Sequence, residues 1–224
     1  MPRGAAVQGI LFDLDGTLLD TVADIAAALN AALQSEQLGT CTVQQVRDMI
    51  GRGVPTLIER ALKRLGATAD RAVLEQRYHT YYAQRHERGE DEARIYPGVD
   101  AGLAALHARG FKLAVVTNKP KDAAIALLSE LHLKQWITAV VGGDSCASRK
   151  PHPQPLLTAC ELLGVTPDHA LMVGDSATDV QAARAAGMRV VCVPYGYNEG
   201  ADPRQLPCDA IVEQLTELPA LLSA

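Results

Sequence analysis

The 224-residue chain has no excess of basic residues. Its 21 lysines and arginines are outnumbered by 26 aspartates and glutamates, which gives a formal net charge of −5, and the basic residues are scattered along the sequence. Binding to nucleic acid or to an anionic membrane depends on concentrated positive charge. We therefore expect neither as a partner of this protein.

Paired cysteines are lacking as well. The cysteines number five, and none stands in a C-x-x-C pair. A disulfide framework uses an even number of cysteines, and a structural zinc site uses closely spaced ones. The sequence instead predicts reduced, mostly buried thiols at Cys41, Cys146, Cys160, Cys192 and Cys208.

Long hydrophobic runs are also absent. No apolar stretch approaches the ~20 residues of a membrane-spanning helix, and Asp13 interrupts the first one before it reaches the length of a signal peptide. There is no internal repeat and no low-complexity segment. Because the hydrophobic content of 48% can supply a core, we expect a globular, cytoplasmic protein.

Short apolar runs of strand length recur along the chain. Segments of helical periodicity separate the later runs, and several of them end in a glycine suited to cap a helix. Strands that alternate with helices favour an α/β fold, here a parallel sheet with helices on both faces. The predicted strands are residues 7–12, 111–116, 137–141, 170–173 and 189–193.

Residues 20–92 break this alternation, because their segments are all helix-like and no convincing strand interrupts them. We predict that they form an α-helical cap domain inserted after the first strand. The sheet domain then comprises residues 1–19 and 93–224. A chain of this length suits one domain that carries a smaller insert.

Polar residues follow most of the predicted strands. Ligands of open parallel sheets bind beyond the carboxyl ends of the strands, so these residues should converge on one edge. The set comprises Asp13 and Asp15 after the first strand, Thr117 and Asn118 after the second, Lys150 in the loop after the third, and Asp175 with Asp179 after the fourth.

Four carboxylates at one edge require neutralising cations. Lys150 supplies one positive charge, and we expect a hard divalent cation with oxygen ligands, Mg²⁺, to supply the rest. Other interpretations exist for single residues. Asp175 and Asp179 could simply stabilise a helix N-terminus, and Asn118 could cap the next helix. The DLDG stretch resembles the start of a calcium loop, but the residues after it lack the EF-hand pattern.

Four motifs resemble those of the haloacid dehalogenase-like phosphohydrolases: DLDGT at 13–17, VTN at 116–118, RKP at 149–151 and GDSATD at 174–179, in that family's order and spacing. The resemblance spans the whole chain. Within the family, VTNKP, KPHPQPL and YGYNEG are most similar to the phosphoglycolate phosphatases. The resemblance implies a Rossmann-like core, a helical cap, Mg²⁺ as cofactor and a small phosphorylated metabolite as substrate.

The same resemblance implies a role for each residue. Asp13 would be the nucleophile, and Asp15 the acid that protonates the leaving group and then the base that activates water. Thr117 and the backbone N–H of Asn118 would hold phosphate oxygens, while Lys150 would balance the phosphate and the nucleophile. Asp13, Asp175 and the backbone carbonyl of Asp15 would bind the metal. Asp179 would orient either the metal ligands or Lys150. Gly16 would form a sharp turn, and the Thr17 hydroxyl would stabilise the loop.

Substrate specificity would come from the cap, in the stretch MIGRGVPT at 49–56. Arg52, or backbone N–H groups near Gly53 at the start of the following helix, could bind a substrate carboxylate. The alternative is a simple turn with Arg52 in solvent.

Three functions remain open at this point. The first is a Mg²⁺-dependent phosphomonoester hydrolase that forms an aspartyl-phosphate and acts on 2-phosphoglycolate or another small metabolite such as a sugar phosphate. The second is a phosphomutase of the same family, and the third is a regulatory protein that has lost catalysis. We expect a monomer or a homodimer.

Overall fold

The computed structural model describes residues 6–222 and contains two sheets. Its strands are β1 (Gly9–Phe12), β2 (Leu19–Asp20), β3 (Arg94–Ile95), β4 (Lys112–Val116), β5 (Ala139–Val141), β6 (Ala170–Gly174), β7 (Arg189–Cys192) and β8 (Ala210–Ile211). The larger sheet is parallel throughout and has the order β5-β4-β1-β6-β7-β8. All five predicted strands are therefore confirmed, with β1 at the centre of the sheet.

The sequence did not predict β2, β3 or β8. Each of these strands has two residues, which is too short to show an alternating pattern. β2 pairs antiparallel with β3, Leu19 opposite Ile95 and Asp20 opposite Arg94. This small ribbon lies at both ends of the predicted insert, where the chain leaves the large sheet and returns to it.

Helices cover both faces of the large sheet, as predicted. The α-helices of residues 6–222 are α1 (Val22–Ser35), α2 (Val43–Arg47), α3 (Val54–Leu65), α4 (Arg71–Glu87), α5 (Val99–Ala108), α6 (Lys121–Glu130), α7 (Gln154–Leu163), α8 (Ala177–Ala185) and α9 (Leu218–Leu221), of which α5 to α8 contribute to the packing on the two faces. Successive side chains of a strand point to opposite faces. Ile10 and Phe12 of β1 accordingly pack in one cluster with Leu103 of α5 and Leu127 of α6. Leu11 packs in the opposite cluster with residues of α7 and α8.

Helices α1 to α4 occupy the stretch between β2 and β3 and have a hydrophobic cluster of their own. Leu29, Ile58 and Leu74 are fully buried in it. Tyr197, from the loop after β7, packs into the same cluster. The division of the chain into a cap and a core stays a prediction, but the packing gives these four helices an interior separate from both faces of the large sheet.

Two further expectations bear on the chemistry of the chain. The five cysteines are free thiols, and three of them are buried, which confirms the prediction of reduced, mostly buried thiols. Within residues 6–222, no helix combines the length and the apolar character that crossing a bilayer requires.

Candidate active site

The loop that follows β1 presents both predicted carboxylates, Asp13 and Asp15. Gly16 has a φ of +91°, and a Cβ atom there would overlap the carboxylate of Asp175. Only glycine fits both constraints. The next hydroxyl, that of Thr17, donates a hydrogen bond to Oδ1 of Asp175 at 2.7 Å. The structure thus shows the predicted turn at Gly16. It also shows that the Thr17 hydroxyl stabilises the loop through a hydrogen bond to Asp175, the carboxylate that follows β6.

Lys150 joins two of the predicted carboxylates. Its Nζ atom lies 2.9 Å from Oδ1 of Asp13 and 2.7 Å from Oδ1 of Asp179, and its side chain is 1% exposed. Burial alone disfavours the ammonium, but the attraction of both carboxylates outweighs this and raises the pKa of Lys150. Asn118 fixes the backbone here, because its Oδ1 accepts from the N–H of Lys150 and its Nδ2 donates to the carbonyl of Lys150.

Asp175 and Asp179 surround the N-terminus of α8. Asp179 forms a capping box with Ser176, whose N–H and hydroxyl both donate to Oδ2 of Asp179. The helix-capping interpretation is therefore correct for Asp179, alongside its contact with Lys150. Asp175 accepts from the N–H of Tyr197 and the hydroxyl of Thr17. Burial and the charge of Asp179 nevertheless raise the pKa of Asp175 to about 7.

The carboxylate oxygens of Asp13, Asp175 and Asp179 lie within 4.8 Å of one another. Burial raises the pKa of Asp13 well above its usual value; Lys150 opposes the rise, and Asp179 and Asp175 add to it. Three carboxylates thus lie close together, and the Lys150 ammonium contacts two of them, Asp13 and Asp179. This set of hard oxygen donors with an unbalanced negative charge fits a divalent cation of the Mg²⁺ type.

Asp15 has different partners from the other carboxylates. Lys119 Nζ lies 3.1 Å from its Oδ1 and 3.3 Å from its Oδ2, and the Thr21 hydroxyl donates to Oδ1 at 2.6 Å. The ammonium of Lys119 also lies 4.7 Å from the centre of the Tyr82 ring. Burial opposes the charge of Lys119, yet Asp15 in particular raises its pKa above the usual value.

Thr117 and Asn118 follow β4 and face the same edge. Thr117 is buried, and its hydroxyl accepts from the N–H of Lys119. The N-cap of α6 is Pro120, so the interpretation of Asn118 as a helix cap is wrong. Besides Lys150, the Asn118 side chain contacts the carbonyl of Gly51. One amide therefore connects two active-site loops with the segment between α2 and α3.

Arg52 does not point at the site, which corrects the prediction that it faces the substrate. Its Nε donates to Oε1 of Glu199 at 2.8 Å, and Arg60 contacts the other oxygen of Glu199 at 2.9 Å. The alternative of a turn with Arg52 in solvent is correct in part, because the side chain is exposed although it is paired with Glu199. Gly53, in contrast, lines the cavity and is the N-cap of α3, with a φ of +82°.

A cavity of 340 Å³ opens from Asp13, Asp15 and Thr117 between the large sheet's edge and helices α1, α3, α4 and α6. The two carboxylates predicted to carry the reaction thus line the same cavity. Its other lining residues are Ile25, Ile50, Gly51, Gly53, Val54, Leu57, Tyr78, His79, Tyr82, Ala83, His86, Asn118, Lys119, Pro120, Asp122, Ala123, Ala126 and Leu127.

A family model described as haloacid dehalogenase-like hydrolase matches residues 10–193. The chain belongs to this family. It is 43% identical over 217 residues to a phosphoglycolate phosphatase of Nitrosospira multiformis, covering 96% of each chain. It is 44% identical over 216 residues to the plasmid phosphoglycolate phosphatase of Cupriavidus necator, covering 96% of this chain and 92% of the relative.

A solved structure with a similar fold supports the same family. A crystal structure from Haemophilus somnus 129PT, described as a predicted phosphoglycolate phosphatase, is 32% identical with a TM-score of 0.88, covering 96% of this chain and 97% of the other. Together, the family match and the relatives support a phosphatase.

Sequence reasoning missed several residues at the site of this haloacid dehalogenase-like hydrolase. Lys119 was part of the VTNKP motif but received no role. His79 and His86 received no role either, yet both line the cavity, together with Tyr78 and Tyr82. With Ala83, these four residues of α4 recur at the three- and four-residue spacing of one helix face. That periodicity was visible in the sequence, but what it faces depends on tertiary packing.

Proposed function

We propose that this protein is a Mg²⁺-dependent phosphomonoester hydrolase that converts 2-phosphoglycolate to glycolate and phosphate. The observation that carries the proposal is the meeting of Asp13, paired with Lys150, and Asp15 at one end of the cavity. The names of the relatives from Nitrosospira multiformis and Cupriavidus necator supply the substrate.

In the first step, a carboxylate oxygen of Asp13 attacks phosphorus. The bond between phosphorus and the glycolate oxygen breaks, and that oxygen takes a proton from the Asp15 carboxyl group. The products are glycolate and an aspartyl-phosphate on Asp13. Splitting the hydrolysis in this way replaces one difficult displacement with two easier ones.

In the second step, Asp15 takes a proton from a water molecule while the water oxygen attacks phosphorus. The bond between phosphorus and Asp13 breaks, which restores the carboxylate and releases inorganic phosphate. One carboxyl group thus moves a proton in both directions. Its contacts with Lys119 and Thr21 hold it against the cavity for both steps.

Charge on the phosphoryl oxygens is offset by groups that the fold places in advance. Lys150 and Thr117, with the backbone N–H of Asn118, would contact these oxygens. Asp13, Asp175 and the backbone carbonyl of Asp15 would hold Mg²⁺, with Asp179 in a supporting position. Bound there, Mg²⁺ would add positive charge beside the transferring phosphoryl group.

The substrate carboxylate needs a separate partner, and Arg52 is occupied by Glu199. Among the residues that line the cavity, Lys119 carries the one ammonium group. It lies beside Asp15, on the side from which the leaving group must depart. We assign it the carboxylate, together with N–H groups at the start of α3 near Gly53. Helices α1 to α4, within the cap proposed for residues 20–92, then close the site against water.

Phosphate release from a panel of monoesters in the presence of Mg²⁺ tests the proposal. Among 2-phosphoglycolate and the common sugar phosphates, 2-phosphoglycolate should give the highest kcat/KM. The assay contains no sugar bisphosphate, so turnover there also separates a phosphatase from a phosphomutase. A sugar phosphate that is turned over far faster than 2-phosphoglycolate would move the assignment to that substrate.

A further inference from the structure

The cavity is larger and more apolar than glycolate requires. Asp13, Asp15 and Thr117 lie at its catalytic end, and the polar side chains of His79, His86 and Asp122 line it as well. Most of the remaining wall is formed from two sides by apolar side chains. Helix α3 and the loop before it contribute Ile50, Val54 and Leu57, and helix α6 contributes Ala123, Ala126 and Leu127.

Two aromatic rings complete this apolar part. Tyr78 and Tyr82 stack with their centroids 5.9 Å apart and an interplanar angle of 27°. Lys119, which contacts Asp15, lies over the second ring. Pockets of about 300–1,000 Å³ are the size that holds drug-sized ligands, and the 340 Å³ here falls in that range.

Glycolate is a poor match to this space. It has two carbons, and its carboxylate must stay beside Lys119 or the N–H groups of α3, because a charge placed against Leu57 or Leu127 would lose its hydration without compensation. The partly exposed members of the apolar wall, Val54, Ala123 and Ala126, would then face water. Contact between that wall and apolar atoms of a substrate would remove water from both surfaces.

We infer that the same active site also hydrolyses phosphate monoesters of larger apolar alcohols, in which an alkyl or aryl group fills the space between α3 and α6. This inference rests on the proposed phosphatase function and adds a substrate class to it. The chemistry is unchanged: Asp13 attacks phosphorus, and the released alkoxide or phenoxide oxygen takes the proton of Asp15.

The test is a series of straight-chain alkyl phosphates, from methyl to hexyl, assayed beside 2-phosphoglycolate with Mg²⁺ present. Each methylene that enters an apolar site should raise kcat/KM by up to about fourfold. We expect kcat/KM to rise with chain length until the cavity is full, mainly through a lower KM.

Two variants locate the effect. Ala126→Phe adds bulk to the α6 wall and should abolish the gain for the longer esters while changing methyl phosphate much less. Val54→Thr keeps the volume but introduces a hydroxyl, so it should flatten the slope without blocking the space. Ala105→Phe, at an exposed position of α5 outside the cavity, is the matched control and should behave like the wild type.

The outcomes separate this inference from the proposed function. Turnover of 2-phosphoglycolate with flat or falling kcat/KM along the alkyl series overturns the inference alone, as does a rising series that Ala126→Phe leaves unchanged. A rising series without turnover of 2-phosphoglycolate supports the inference and removes the proposed substrate. No hydrolysis of any ester would overturn both.

Discussion

The Nζ atom of Lys119 lies 3.1 Å from Oδ1 of Asp15, so a buried cation is in direct contact with the proposed general acid and base. This pair faces the cavity in which the leaving group must lie. Lys119 can therefore bind the substrate carboxylate, or position Asp15, or do both, and the two roles have different kinetic signatures.

Replacing Lys119 with methionine separates these roles. Losing a charge-assisted contact costs roughly 1.5–3 kcal/mol, or about 10- to 150-fold. For Lys119→Met we expect KM for 2-phosphoglycolate to rise about 10- to 150-fold. KM for phenyl phosphate, which has no carboxylate, should rise much less. Lys121→Met, at an exposed position on α6, is the control. Equal losses of kcat on both substrates would mean that Lys119 acts only through Asp15.

Arg52→Ala should raise KM only slightly, and by the same factor for 2-phosphoglycolate and phenyl phosphate. The ion pair with Glu199 is partly exposed, with side-chain exposures of 42% and 24%, and such pairs contribute about 0.2–1 kcal/mol. We expect less than about a fivefold change in KM. The double variant with Glu199→Gln should be no worse than Glu199→Gln alone, because that change already removes the charge that pairs with Arg52 and Arg60. A rise in KM confined to 2-phosphoglycolate would restore Arg52 as the carboxylate partner.

Asp175, one of the proposed Mg²⁺ ligands, should make stability and metal binding depend on pH. Its folded pKa of about 7 is raised above the ordinary value of 3.8, so the metal-free folded protein holds a proton that the unfolded chain releases. The stability that this proton contributes is present below pH 4 and is lost as pH rises through 7. With a chelator present, Asp175→Asn should therefore be more stable than the wild type at pH 8, by on the order of 1–4 kcal/mol, with the difference vanishing near pH 4.

With Mg²⁺ present at pH 8, the wild type should become more stable than Asp175→Asn. Thermal unfolding of the wild type at pH 8 should shift to higher temperature with added Mg²⁺, because a ligand of the folded state stabilises it. The shift should shrink towards pH 5.5, where the ion competes with the proton on Asp175, and it should be lost in Asp175→Asn. A Mg²⁺ response that survives in the variant would exclude Asp175 as a ligand.

The sequence was sufficient to predict that the polar side chains after the strands meet at one edge of the sheet, because this follows from the geometry of a parallel sheet. Parallel strands end at one edge, so Asp13, Thr117 and Asp175 had to be neighbours once their strands were recognised. The four motifs then fixed which side chains meet. Asp179 could be foreseen both as a helix cap and as a partner of Lys150, and the structure shows both contacts.

The parts that failed depend on contacts between segments far apart in sequence. Arg52 was assigned to the substrate because of its neighbours in the chain, but its partner is 147 residues away in the loop after β7. Lys119 was overlooked because a lysine after a strand is unremarkable until Asp15 and Tyr82 are placed around it. Which face of α4 covers the site is likewise set by packing of the four helices and not by local pattern.

The central claim is that Asp13 carries the phosphoryl group, and the most direct measurement is acid-quenched peptide mass spectrometry of Asp15→Asn after mixing with p-nitrophenyl phosphate and Mg²⁺. Nitrophenolate leaves without a proton, so the first step proceeds, whereas the second step lacks its base. We predict a burst of nitrophenolate and one phosphoryl group on the peptide that contains Asp13, both absent when Asp13→Asn is added. A burst with no phosphoryl group on Asp13, or one that persists in the double variant, would contradict the account.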